Sequence, residues 1–119
     1  MRRLIVAAAL LALAGCGASG PRPGIAIRVD RNPFRISILR DGKTVVAEDL
    51  RARLRYQLAG SGIQHSLTKV VSSHGDAYTV ATNEPGRTAA VTVVARADGA
   101  RIEVALHPAR GVQQVYDAF

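Results

Sequence analysis

Acid–base, metal or nucleophilic chemistry in this 119-residue chain would have to be built from three histidines (His65, His74 and His107), nine carboxylates and a single cysteine. Metal ligation needs His, Cys, Asp or Glu at short spacings so that neighbouring side chains converge on one ion. No second histidine or cysteine lies within five residues of any histidine here, so no metal site is expected. A Ser-His-Asp relay can be written on paper from Ser61, His65 and Asp76, but no serine sits in a nucleophile elbow, and turn or surface roles account for all three. Glycoside hydrolysis requires two carboxyl groups roughly 5–10 Å apart in a cleft. Asp41 and Asp98 fall in Asp-Gly turns, Asp30 and Asp49 at strand ends, and Glu103 on an outward face. Gly60-Ser61-Gly62 is too short to cradle a phosphate and lacks the lysine of a P-loop, so it reads as a loop between strands. No catalytic residue, cofactor or metal ligand is nominated.

The elements that would position any such group begin with an export leader. Arg2 and Arg3 form a basic start, Leu4 to Leu13 an apolar run, and small residues follow, which is the layout of a signal peptide. Ten apolar residues are too few for a bilayer that takes about 20. Two arginines also fit a twin-arginine signal, but any basic leader looks the same, and the general export pathway is the simpler reading. Leu13-Ala14-Gly15-Cys16 resembles the bacterial lipobox, which makes Cys16 the lipidated mature N-terminus; an ordinary secretory signal containing a cysteine is the alternative. Residues 1–15 are thus a lipoprotein signal peptide. Residues 16–24 (CGASGPRPG) are a flexible tether, and 25–119 are the folded body. The expected location is exported and lipid-anchored to the bacterial cell envelope. A lone cysteine forms no intrachain disulfide, so stability must come from packing.

Composition fits a folded module: 48% apolar and 21% charged residues in 12.6 kDa, room for one small domain. Tryptophan is absent and the aromatics are few, which is thin for stacking sugars or bases. Without Arg2 and Arg3, 14 basic residues face 9 acidic ones, scattered singly along the chain, so nucleic acid is not an expected partner.

Period-two alternation dominates from Ile25 onward: Ile25-Ile27-Val29, Phe34-Ile36-Ile38, Val91-Val93-Ala95 and Ile102-Val104-Leu106. An Asp98-Gly99 turn would set Ala95 opposite Ile102, Val93 opposite Val104 and Val91 opposite Leu106, with Arg96 facing Arg101. An Asp41-Gly42 turn would set Ile38 opposite Val45 and Ile36 opposite Ala47, with Ser37 and Val46 on the other face. Arg51 to Leu58 alternates weakly, while His65 to Ser72 and Asp76 to Thr82 read as strands. His74-Gly75-Asp76 and Asn83-Glu84-Pro85-Gly86 read as turns. The expected fold is all-β, an antiparallel β-sandwich of about seven to nine short strands, left incomplete at its C-terminal end.

Several segments, taken in order, resemble the N-terminal domain of glycoside hydrolase family 31, the α-glucosidase and α-xylosidase group. They are Val29-Asp30-Arg31-Asn32-Pro33-Phe34-Arg35-Ile36-Ser37-Ile38, Arg40-Asp41-Gly42, Val45-Val46-Ala47-Glu48, Tyr78-Thr79-Val80 with Thr82, and His107-Pro108-Ala109-Arg110-Gly111-Val112. The similarity runs from Ile25 to Phe119. It implies a galactose-mutarotase-like β-sandwich preceding a catalytic barrel that this chain lacks. The role it implies is a non-catalytic accessory one, supporting the barrel and its substrate pocket, with the barrel as partner, carbohydrate as a further candidate partner, and the membrane reached through Cys16. Family members carry their catalytic aspartates on the barrel in a Trp-containing segment, so no catalytic residue transfers to a chain without tryptophan. Tyr116 and Phe119, exposed, would be an interface without its partner. A free-standing envelope lipoprotein that binds a ligand or partner is the alternative.

Overall fold

The computed structural model describes residues 4–8, 24–51 and 53–119. Cys16 and the tether up to residue 23 lie outside them. The described chain is all-β and antiparallel. Leu4–Ala8 forms β1, followed by β2 (Ile25–Arg31), β3 (Phe34–Arg40), β4 (Lys43–Ala47), β5 (Arg55–Leu58), β6 (Gln64–His74), β7 (Ala77–Thr82), β8 (Thr88–Arg96), β9 (Gly99–His107) and β10 (Val112–Tyr116). One sheet runs β1-β9-β8-β7-β6-β5-β10 and the other β2-β3-β4. The small sheet lies on the large one through β2 against β8 and β9 and β3 against β6. Between them Phe34, Ile36, Leu54, Tyr56, Leu67, Val80, Val91, Val93, Ile102, Val104 and Leu106 form one buried core. These are the alternating apolar residues of the sequence, and the sandwich arises because each half-apolar strand can bury its row only against another sheet.

β2 begins at Ile25, and β10 pairs with β5 along one edge of the large sheet. Of the weakly alternating stretch from Arg51, the described residues form a strand over Arg55–Leu58.

Two registers differ from expectation. The β8–β9 turn is Ala97-Asp98, so Ala95 faces Ala100, Val93 faces Ile102 and Val91 faces Val104. This shift of two residues keeps every apolar side chain on its face, because the side-chain period of a strand is also two. It separates Arg96 from Arg101: Arg96 faces Gly99, and Arg101 pairs with Glu103 of its own strand at 3.1 Å. The Asp41-Gly42 turn stands where expected, with φ of 56° and 75°, the left-handed pair of a type I′ turn. Beyond Leu39↔Thr44, however, the ladder shifts, and Ile38 faces Val46 while Ser37 faces Ala47. The extra residue turns Val45 outward, 49% exposed, and Ser37 is fully buried.

Candidate functional site

Two carboxylate clusters carry most of the polar chemistry of the domain. The first starts from Tyr56, whose position in β5 points its ring into the core and its hydroxyl toward the β7–β8 turn. That hydroxyl donates to Glu84 Oε2 at 2.5 Å. The turn is closed by Thr82, whose Oγ1 donates to the Arg87 carbonyl at 2.8 Å and accepts the Glu84 N–H at 3.2 Å. Arg87 Nε meets Glu84 Oε2 at 2.6 Å, and its guanidinium lies 5.7 Å from the Tyr56 ring centroid. Nη1 of Arg87 donates to the Pro108 carbonyl and, at 3.1 Å, to that of Arg110. His65 stacks on Tyr56 at 5.7 Å, its Nδ1 3.0 Å from Asn83 Oδ1.

The electrostatics of this cluster fix its protonation. Burial, reinforced by the hydrogen bond to Glu84, pushes the Tyr56 hydroxyl up to about 12. Hydrogen bonds from Arg87 and then Tyr56 hold the Glu84 carboxyl below its ordinary value, and Glu84 raises Arg87. Near neutrality Arg87 and Glu84 are an ion pair and the Tyr56 hydroxyl is neutral. The cluster acts as a clasp, tying the β7–β8 turn to the β9–β10 turn. Arg87→Ala is therefore expected to cost about 2 kcal/mol, because it strands the Glu84 carboxylate and two carbonyls. That corresponds to roughly a 10 °C fall in Tm, and Arg87→Lys should recover only part of it, since an ammonium cannot reproduce the fork. Thermal unfolding checks this; an unchanged Tm for Arg87→Ala would remove the clasp.

The second cluster joins Glu48 and Asp117. Glu48, just past β4, is fully buried. Its Oε1 accepts the Ile36 N–H at 2.6 Å and its Oε2 the Leu54 N–H at 2.9 Å, while its own N–H and carbonyl are taken by the Ile36 carbonyl and Arg35 Nε, each at 2.9 Å. The side chain thus stands in for a missing strand between β3 and the segment entering β5. Asp117 accepts its neighbour Ala118 N–H through Oδ1, and its buried carboxyl lies within hydrogen-bond reach of Glu48. Burial, and then the adjacent Glu48 carboxyl, push Asp117 up to about 9. Two close carboxyl groups cannot both ionise cheaply, so Asp117 is the one that keeps its proton.

The residues singled out in the sequence are not brought together. Ser61 sits in the β5–β6 loop, where its Oγ accepts the Ile63 N–H at 3.3 Å. His65 and Asp76 belong to opposite ends of β6 and its hairpin, roughly 30 Å apart at the rise of an extended strand. Among the described residues no three His, Cys, Asp or Glu side chains gather as a metal site. Asp30 pairs with Arg28 at 3.6 Å, and Asp49 Oδ1 accepts the Arg51 N–H at 2.9 Å. Glu48, Glu84 and Asp117, the acids with the most structured surroundings, were not singled out by the sequence.

Two shallow, open grooves flank these clusters. One, of about 600 Å³, runs between Ala59-Gly60 and Ala109-Arg110-Gly111-Val112-Gln113, and no residue lining it is aromatic. The other, of about 700 Å³, lies at the β2–β3 turn between Val29, Asp30, Pro33, Arg35 and Leu50. Beside it the Asp49 N–H donates to the Ala118 carbonyl at 3.0 Å, so that Leu50 and Phe119, 45% and 43% exposed, flank one backbone contact. Tyr116, expected to be exposed, is half-buried: its hydroxyl contacts Gln57 Oε1 at 2.8 Å and Gln114 Oε1 at 2.7 Å, and the Arg55 guanidinium lies 5.3 Å from its ring centroid.

Comparison of the chain with protein-family models, with curated proteins and with solved structures found no match.

Proposed function

We propose that the chain is an exported, non-catalytic β-sandwich module, lipid-anchored at Cys16, that works by docking on a partner. In the arrangement the family 31 resemblance implies, that partner is a glycosidase barrel outside this chain. The observation that carries the docking role is the exposed pair Leu50 and Phe119 beside the β2–β3 groove. The polar groups that could have served chemistry are engaged in holding the fold: Glu84 by Arg87 and Tyr56, Glu48 by two backbone N–H groups. The second reading, a free-standing envelope lipoprotein that binds a ligand, is favoured by the groove at residues 109–113, where Arg110, Gln113 and backbone groups could meet a polar molecule.

The docking surface is tested with an apolar fluorescent dye on the domain prepared without a partner. The dye should bind, and Leu50→Ser with Phe119→Ser should remove most of the signal while leaving the β-type circular dichroism unchanged. A dye-silent wild-type domain would count against docking through this pair. For the anchor, Cys16→Ser is expected to move the protein from the membrane fraction to the soluble fraction of the envelope; unchanged retention would sink the lipid attachment.

A further inference from the structure

We propose that the outer edge of β9 is a self-association surface, on which a second copy of this chain adds its own β9 antiparallel once Leu4–Ala8 has left. The departure of Leu4–Ala8 rests on reading it as part of a removable leader.

Among the described residues, the two sheets would have four boundary strands once β1 is gone, and they are not equivalent. β4 is five residues long and carries a register shift next to Ile38, and β10 is equally short with a shift between Val112 and Gln114. Short, bulged edges are poor templates for pairing. β2 has seven residues and, among the described residues, takes no strand on its outer side. β9 is nine residues long, pairs with β8 without a shift, and already takes a strand on its other side: Leu4↔Val104, Val6↔Ile102 and Ala8↔Ala100. This edge is therefore competent to accept an extended segment, and removing β1 would leave its backbone groups without partners.

The side chains of β9 select what replaces it. In a two-residue hairpin the residues flanking the turn, here Arg96 and Gly99, bond to each other. The N–H and C=O groups of Ala100, Ile102 and Val104 therefore point to the outer edge. Two β9 strands related by a two-fold axis at Ile102 would exchange bonds at Ile102–Ile102 and at both Ala100–Val104 pairs, about six in all. In the same register Arg101 of each copy faces Glu103 of the other. These charged residues share the outer face, with Arg101 and Glu103 39% and 33% exposed, while Ile102 and Val104 continue the core face of both sheets. A slip of one residue would turn apolar side chains against charged ones, and a slip of two would place Glu103 against Glu103 or Arg101 against Arg101, so the charge pattern selects one register and makes the edge self-complementary. Such a ladder is a small interface, and tethering both copies to one membrane would raise their effective concentration.

The experiment compares the full-length chain made by cell-free synthesis with the processed chain recovered from cells, each by sedimentation up to about 100 μM, with intact mass reporting whether the leader has been removed. The full-length chain should be monomeric and the processed chain dimeric. Glu103→Arg in the processed chain should weaken the dimer about tenfold by opposing like charges at two symmetric positions. Arg101→Glu combined with Glu103→Arg should restore it. A processed chain that stays monomeric, or a dimer indifferent to Glu103→Arg, overturns the proposal. Should the mass show the leader still attached in cells, the leader reading fails by itself. The edge is then judged on full-length Val6→Pro, which removes an N–H from the β1 ladder: dimerisation supports the β9 surface, and a monomer refutes it.

Discussion

Glu48→Ala is expected to destabilise the domain by about 4 kcal/mol, a large share of the roughly 5–14 kcal/mol that a body of this size holds. The substitution leaves the N–H groups of Ile36 and Leu54 buried without acceptors, and each such orphan costs about 1–3 kcal/mol. It also opens a void where a fully buried side chain stood. Relief of the crowded carboxyl pair offsets part of this, since Asp117 would ionise more easily without Glu48 beside it. The expected fall in Tm is about 15–30 °C. Glu48→Gln should fall between: the amide oxygen serves one N–H, while the amide nitrogen confronts the other, donor against donor. If Glu48→Ala shifts Tm by no more than a typical surface substitution, the bridging role is wrong.

Thermal stability should increase as the solution is acidified from about pH 8 to about pH 5, because Asp117 takes up its proton more readily folded than unfolded. Its folded value is raised to about 9, against about 4 for a free aspartate. Between those values the folded state binds the extra proton, so the stabilisation is full below the unfolded value and is lost as pH rises through the folded one. One proton corresponds to a slope of at most about 1.4 kcal/mol per pH unit, or roughly 6–11 °C in Tm. Glu84, held low by Arg87, works in the opposite sense: its contribution is present above the unfolded glutamate value and is lost as pH falls through the lower folded one. Maximum stability is accordingly expected near pH 5. Asp117→Asn should flatten the slope between pH 5 and 8 and leave the acid limb intact. An unchanged slope in Asp117→Asn would show that the proton is held elsewhere.

The strands and their apolar faces were legible because alternation is local, and the Asp41-Gly42 turn because few dipeptides accept two positive φ angles. The register at Ala97-Asp98 was not, since a shift of two leaves every apolar residue on its own face and alternation cannot tell the two pairings apart. The bulge at Val45 was hidden for a related reason: Val45 and Val46 are equally suited to face the core, and only the register shift between Ile38 and Leu39 sets which one turns outward. Glu48 itself reads locally as an acid at a strand end. Its burial depends on Ile36, Leu54 and Asp117, which sequence spacing does not connect. Glu84 and Arg87 left one local trace, an acid and a base three residues apart across Pro85-Gly86. Their partner Tyr56 lies 28 residues before Glu84 and is brought to it only by the sheet.

The most direct test of the docking account is the size of the native polypeptide, read from an immunoblot of source-cell membranes with an antibody raised against the folded domain. The account that joins this module to a catalytic barrel predicts a membrane band far above 12.6 kDa. A band at or slightly below 12.6 kDa would contradict it and leave the free-standing lipoprotein as the working description.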